Sequence, residues 1–170
     1  WHWVSRQPMA TSLTFAAIGT FRLQQGVVDG LPYVYAVTEQ LSAADQKAAF
    51  TALQSSAAKV RVLAGLFGPY PFTELGGIVP AAELPFDGLE AQTRPVYRAK
   101  AILDPRYSDE LLSHELAHMW FGDNVTVRQW DDVFDSEAYA SWAAWASAEQ
   151  TGGPSAQSEL LRTFARARDA

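Results

Sequence analysis

Residues 109–124 read DELLSHELAHMWFGDN, and the two histidines four apart, His114 and His118, act together only if this stretch is a helix. Side chains at i and i+4 stand on one helical face, so two imidazoles can point at one ion. Glu115 lies about 60° round the helix from His118, off the axis of that pair. It is poorly placed as a third ligand and well placed to touch a metal-bound water. Zinc lowers the pKa of such a water to about 7, and a carboxylate beside it can take the proton. The spacing predicts a helix capped by Ser108, with Asp109 and Glu110 in its first turn and Gly122 at its end.

A catalytic zinc needs a third protein ligand and one open position. The sequence has no cysteine, and its third histidine, His2, lies at the terminus, so the third ligand is expected to be a carboxylate. Asp123, Asp131, Asp132, Asp135, Glu137 and Glu149 are the downstream candidates. Asp123 follows the histidine helix too closely to fold back easily. Glu137 sits one turn into the next apolar-periodic segment, where a helix returning antiparallel would present it to the histidines. Its neighbours Phe134, Ala138, Tyr139 and Trp142 are poor company for a surface position.

Strands are expected at 12–23 and 31–38, which are aromatic and aliphatic and flanked by Gly26, Gly30 and Pro32. Phe50, Leu53, Ala57, Val60, Ala64 and Phe67 then follow at spacings of three and four. They predict one long helix, capped by Ser42 and stopped by Gly65 and Gly68-Pro69. The Pro- and Gly-rich run from Glu74 to Leu103 reads as irregular strands, some at a sheet edge. After a polar loop at 123–132, helices are expected from about Phe134 to Gln150 and over 156–168. Strands with a helix, followed by helices alone, indicate an α+β fold in two lobes.

With 48% hydrophobic and 19% charged residues the composition is that of a globular domain. A net charge of −6 with no basic run argues against a nucleic-acid partner, and no apolar stretch approaches a membrane span. The opening WHWVSRQPMATS carries no initiator Met and no signal-peptide pattern, so both ends read as cuts in a longer protein.

The pattern H-E-L-A-H-M-W-F-G-D, eighteen residues after His118, then Glu137 within WDDVFDSEAYASW, resembles the gluzincin aminopeptidases, the family of membrane alanyl aminopeptidase and leukotriene hydrolase. The family's G-x-M-E-N strand has its counterpart in DGLEAQT, with Glu90 24 residues before His114, and LEAQTRPVY is similar to actinobacterial members. The likeness runs from about Trp3 to Ala156. The motif departs from the family where Asp87 replaces a glycine and Ala91 the asparagine, and Phe134, Asp135 and Ser136 precede Glu137 in place of W-L-N.

This resemblance implies a thermolysin-like metallopeptidase catalytic domain, a mixed-sheet lobe followed by a helical lobe, C-terminally truncated. Residues 1–10 would end a preceding domain or linker, 11–104 would form the α+β lobe, and 105–170 the helical lobe. It further implies one zinc per chain on His114, His118 and Glu137, with Glu115 as general base. Glu90 would hold the amino terminus of a peptide substrate. The transition-state-stabilising Tyr of the family is expected outside this chain, which stops 33 residues after Glu137, and Tyr139 is too near to replace it. Flanking domains of the parent protein are expected partners. A gluzincin endopeptidase and a non-catalytic scaffold retaining the fold are the alternatives.

Overall fold

A computed structural model of the chain describes residues 7–168. His2 and most of the segment assigned to a preceding domain or linker lie outside these residues. The elements follow the α+β order: β1 (Phe21–Val28), β2 (Leu31–Thr38), α1 (Ala43–Gln54), α2 (Ser56–Phe67), β3 (Leu75–Val79), β4 (Gly88–Leu89), β5 (Val96–Tyr97), α3 (Ala99–Ile102), α4 (Ser108–Ala117), α5 (Val133–Gln150) and α6 (Ala156–Arg168). They form one mixed five-stranded sheet in the order β1-β2-β3-β5-β4. No helix among the described residues is long and apolar enough to cross a membrane.

The first expected strand is displaced. Residues 12–20 hold the end of a 3-10 turn (Thr11–Leu13) and irregular chain, and the strand runs from Phe21 through Gly26 to Val28. Its register is set by a two-residue hairpin, with Asp29 at φ 53° and Gly30 at φ 79°. Positive φ at both positions matches the right-handed twist of the strands the turn joins, and Asp-Gly is well suited to it. β2 spans the expected residues and pairs in parallel with β3, the two joined through α1 and α2.

The long helix is two helices. Ser42 caps α1 by accepting a hydrogen bond from the Asp45 N–H. At Ser55 both the backbone N–H and the hydroxyl donate to the Ala52 carbonyl, which tightens the chain by one step and restarts the helix as α2. Gly65 lies inside α2, and the helix stops at Gly68, φ 92°. The short helix α3 stands in the segment read as strands. Ser108 is the first residue of α4 rather than its cap: its N–H bonds to Asp104 O, so the chain is already winding before it, and Tyr107 takes the cap position.

α4 lies between the two hydrophobic clusters of the domain. Leu111 and Leu112 pack into the one formed by the sheet and α1, with Tyr35, Val37, Leu53, Val79 and Tyr97. Leu116 and Met119, in the turn that follows α4, pack into the second, with Val60, Leu63, Leu75 and Ala140. Each fully buried leucine contributes about 1.5–3 kcal/mol. Trp120 Nε1 donates to Gly68 O, tying the chain after α4 to the end of α2. The helix bearing the histidines is thereby fixed against the sheet on one side and α5 on the other.

Candidate metal centre

His114, His118 and Glu137 come together as the sequence led us to expect. Their ligand atoms lie within 4.8 Å of one another. His118 Nε2 is 3.1 Å from His114 Nε2, and the Glu137 carboxylate lies 3.2 Å from His114 Nε2 and 3.8 Å from His118 Nε2. Two nitrogens bound to one zinc at about 2.0–2.1 Å in tetrahedral geometry stand roughly 3.3 Å apart. The observed spacing is therefore that of donors around a common cation.

The His118 ring is oriented from behind. Its Nδ1 lies 3.0 Å from Phe121 O, which can only accept, so Nδ1 carries the proton and Nε2 offers its lone pair to the cluster. Ser136 Oγ also donates to Phe121 O at 3.0 Å and lies 3.2 Å from the same Nδ1. Gly122, φ 129°, makes room for this: a Cβ there would stand 2.7 Å from Ser136 Oγ and 3.1 Å from His118 Nδ1. Ser141 Oγ is 3.5 Å from His114 Nδ1. Neither serine was singled out in the sequence, although Ser141 lies four residues beyond Glu137 and hence on its helical face.

Glu115 is 4% exposed and lies against β4. A Cβ on Gly88 would stand 2.0 Å from its Oε1, so a side chain at position 88 would displace the carboxylate. Glu90, on the chain just after β4, brings its carboxylate within 4.8 Å of ligand atoms of both Glu115 and His118. Burial pushes the Glu115 carboxyl well above the usual carboxylate range, and Glu90, Glu137, Asp123 and Asp87 push it the same way. Burial lowers the His118 pKa, helped by His114, against the opposing fields of Glu90 and Glu137. The hydrogen bond from His114 holds the Glu137 carboxyl low.

Asp123, 4% exposed with both oxygens unpartnered, is raised to about 8 by burial and then by Glu90. Carboxylates thus crowd a largely buried site, and a divalent cation is the charge that would relieve them. The donor set fits zinc: two imidazoles and a carboxylate, with outer partners that set the His118 tautomer.

One expectation about the surroundings fails. Phe134, Tyr139 and Trp142 are exposed, Phe134 to 75%, and Glu137 keeps about half its side-chain surface, so the aromatic flank does not mark a buried segment. Tyr139 stacks on Phe121. Asp135 is exposed in the first turn of α5.

Residues 52–169 match the Peptidase family M1 domain. The chain belongs to peptidase family M1. Among relatives of this M1 domain, aminopeptidase N of Acetobacter pasteurianus is 29% identical over 145 residues, covering 79% of the chain and 39% of the relative. Aminopeptidase 2 of Candida albicans is 50% identical over 36 residues, covering 21% of the chain and 4% of the relative.

The M1 zinc metallopeptidase of Deinococcus radiodurans superposes with a TM-score of 0.68 at 27% identity, over 87% of this chain and 32% of that one. A variant of that enzyme bound to a Tyr-Ser-Ala substrate superposes with a TM-score of 0.73 at 24% identity, over 89% and 34%. The M1 domain described here spans well under half the length of these relatives and solved chains.

Proposed function

We propose that this chain carries the metal-binding and proton-transferring part of a zinc aminopeptidase, with one zinc held by His114, His118 and Glu137. The observation that carries the reading is the convergence of these three donors beside the buried Glu115. When bound, zinc supplies Lewis acidity toward the scissile carbonyl and toward water.

The remaining work falls to the chain itself. Glu115 takes a proton from the attacking water and passes it to the leaving amine; its raised affinity for protons suits both halves of that transfer once a cation offsets the surrounding carboxylates. Glu90 accepts charge-assisted hydrogen bonds from the α-ammonium group of a peptide and so restricts cleavage to the first residue. β4 is the edge strand of the sheet, and its free side can pair with an extended peptide. Gly88 keeps that strand close against Glu115. Ser136 and the Phe121 carbonyl keep His118 in the tautomer that binds metal.

Flanking domains of a longer protein are part of the same proposal. The exposure of Phe134 and Trp142 on α5 and of Leu161 and Phe164 on α6, together with the greater length of the M1 relatives, supports them as cover for these side chains.

The test is metal content by elemental mass spectrometry, followed by turnover of a free and an Nα-acetylated peptide by the full-length protein. About one zinc per chain, lost in Glu137→Ala, with cleavage of the free peptide alone, is the expected result. Equal cleavage of both peptides would replace the aminopeptidase reading with an endopeptidase one. Turnover unaffected by Glu115→Gln would remove Glu115 from the chemistry.

A further inference from the structure

Next to the metal cluster lies a cavity of about 350 Å³, lined by Asp87, Gly88, Tyr107, Glu110, Glu115 and Ser141 among others. It is continuous with the cluster through His114, which lines it as well. Its lining holds three carboxylates and neither lysine nor arginine. Glu115 reaches it more than nine-tenths buried. Asp87 is paired with Arg98, which is not part of the lining. Glu110, at the exposed rim, accepts a hydrogen bond from the Trp145 indole.

The position of the cavity says which part of a peptide enters it. The chain runs from Asp87 through Gly88 and Leu89 to Glu90, and two residues of strand separate Gly88 from Glu90 by about 6.6 Å. With the α-ammonium at Glu90 and the scissile carbonyl at the metal cluster, the rest of the peptide leaves toward Gly88 and Asp87, over this cavity. Resting on the aminopeptidase reading, we propose that the cavity receives the side chain of the residue after the scissile bond and selects lysine or arginine there, with Glu110 as the main determinant. A cationic side chain would find Glu110 and the Tyr107 and Ser141 hydroxyls around it, whereas an acidic one would meet the Glu110 carboxylate.

The test uses the zinc-loaded full-length protein and three amides, Ala-Lys-NH2, Ala-Ala-NH2 and Ala-Glu-NH2. The kcat/KM for the lysine amide should exceed that for the glutamate amide by about tenfold at low salt, with the alanine amide between them. Glu110→Gln, which retains an acceptor for Trp145, should compress that ratio to about threefold, and 1 M salt should compress it likewise. Equal kcat/KM for the three amides would overturn the cavity's role and leave the aminopeptidase reading standing. A ratio unchanged in Glu110→Gln would overturn the role of Glu110. If none of the amides is hydrolysed, the aminopeptidase reading fails, and calorimetric binding of the same amides decides about the cavity. Tighter binding of the lysine amide, weakened by Glu110→Gln, supports it; affinities independent of charge overturn it.

Discussion

Replacing Gly88 by alanine separates the chemistry of the site from its stability. The added Cβ would stand 2.0 Å from Glu115 Oε1, 2.4 Å from Cδ and 2.8 Å from Cγ. Restoring an ordinary contact of more than 3 Å requires the carboxylate to move by about 1 Å or more. The displaced atoms are the end of a flexible side chain bordering a cavity, so the carboxylate can swing aside without moving backbone. The folding cost is expected to stay near the low end of the ~1–3 kcal/mol typical of overpacking. The catalytic cost is not small, because a 1 Å misplacement of a reacting group lowers the rate by about 100-fold. Gly88→Ala should therefore retain zinc and most of its thermal stability while losing about two orders of magnitude in kcat. Combined with Glu115→Gln it should add little, since both changes act through one group. The assays are elemental zinc analysis, thermal unfolding and steady-state kinetics of the two single variants and the double variant. Wild-type kcat in Gly88→Ala, or full additivity in the double variant, would refute the claim that β4 positions Glu115.

Ser136→Ala should weaken zinc affinity by about 10-fold, the lower end of the range for outer partners of metal-binding histidines, because His118 Nδ1 keeps Phe121 O. Chelator competition measures it, and unchanged affinity would mean the carbonyl alone orients the ring. Asp123 has its folded-state pKa raised from 3.8 to about 8, so the native state holds a proton that the unfolded chain has released between those values. Its contribution to the stability of the metal-free protein is present below about pH 4 and lost as pH rises toward about 8; Asp123→Asn should flatten this decline in urea titrations, and an unaltered pH profile would contradict it. Gly68→Ala should cost about 1–3 kcal/mol at φ 92°, ψ 178°, with no nearby atom to blame, and unfolding midpoints would show it.

The convergence of His114, His118 and Glu137 was legible because helix spacing and one antiparallel return are enough to produce it. His114 and His118 share a helical face whatever surrounds the helix, and Glu137 needs only a short loop and an antiparallel return. The strand at Leu31–Thr38, the Ser42 cap and the last two helices were readable for the same reason: neighbours in sequence produce them. The first strand was misplaced because apolar content alone does not define a strand, and the Asp29-Gly30 turn, which sets its register, lies beyond the segment read as strand. The break at Ser55 was hidden because the apolar face continues across it in phase.

What only the tertiary structure decided is the set of contacts between distant segments that no motif marks. The approach of Gly88 to Glu115 exists because α4 is held against the edge of the sheet, and the support of Ser136 for His118 because α5 returns over α4. No periodicity records either contact. The displaced proton affinities of Glu115 and Asp123 belong to the same class, since desolvation is a property of the packed whole, whereas the reach of an imidazole along a helix is a property of the chain.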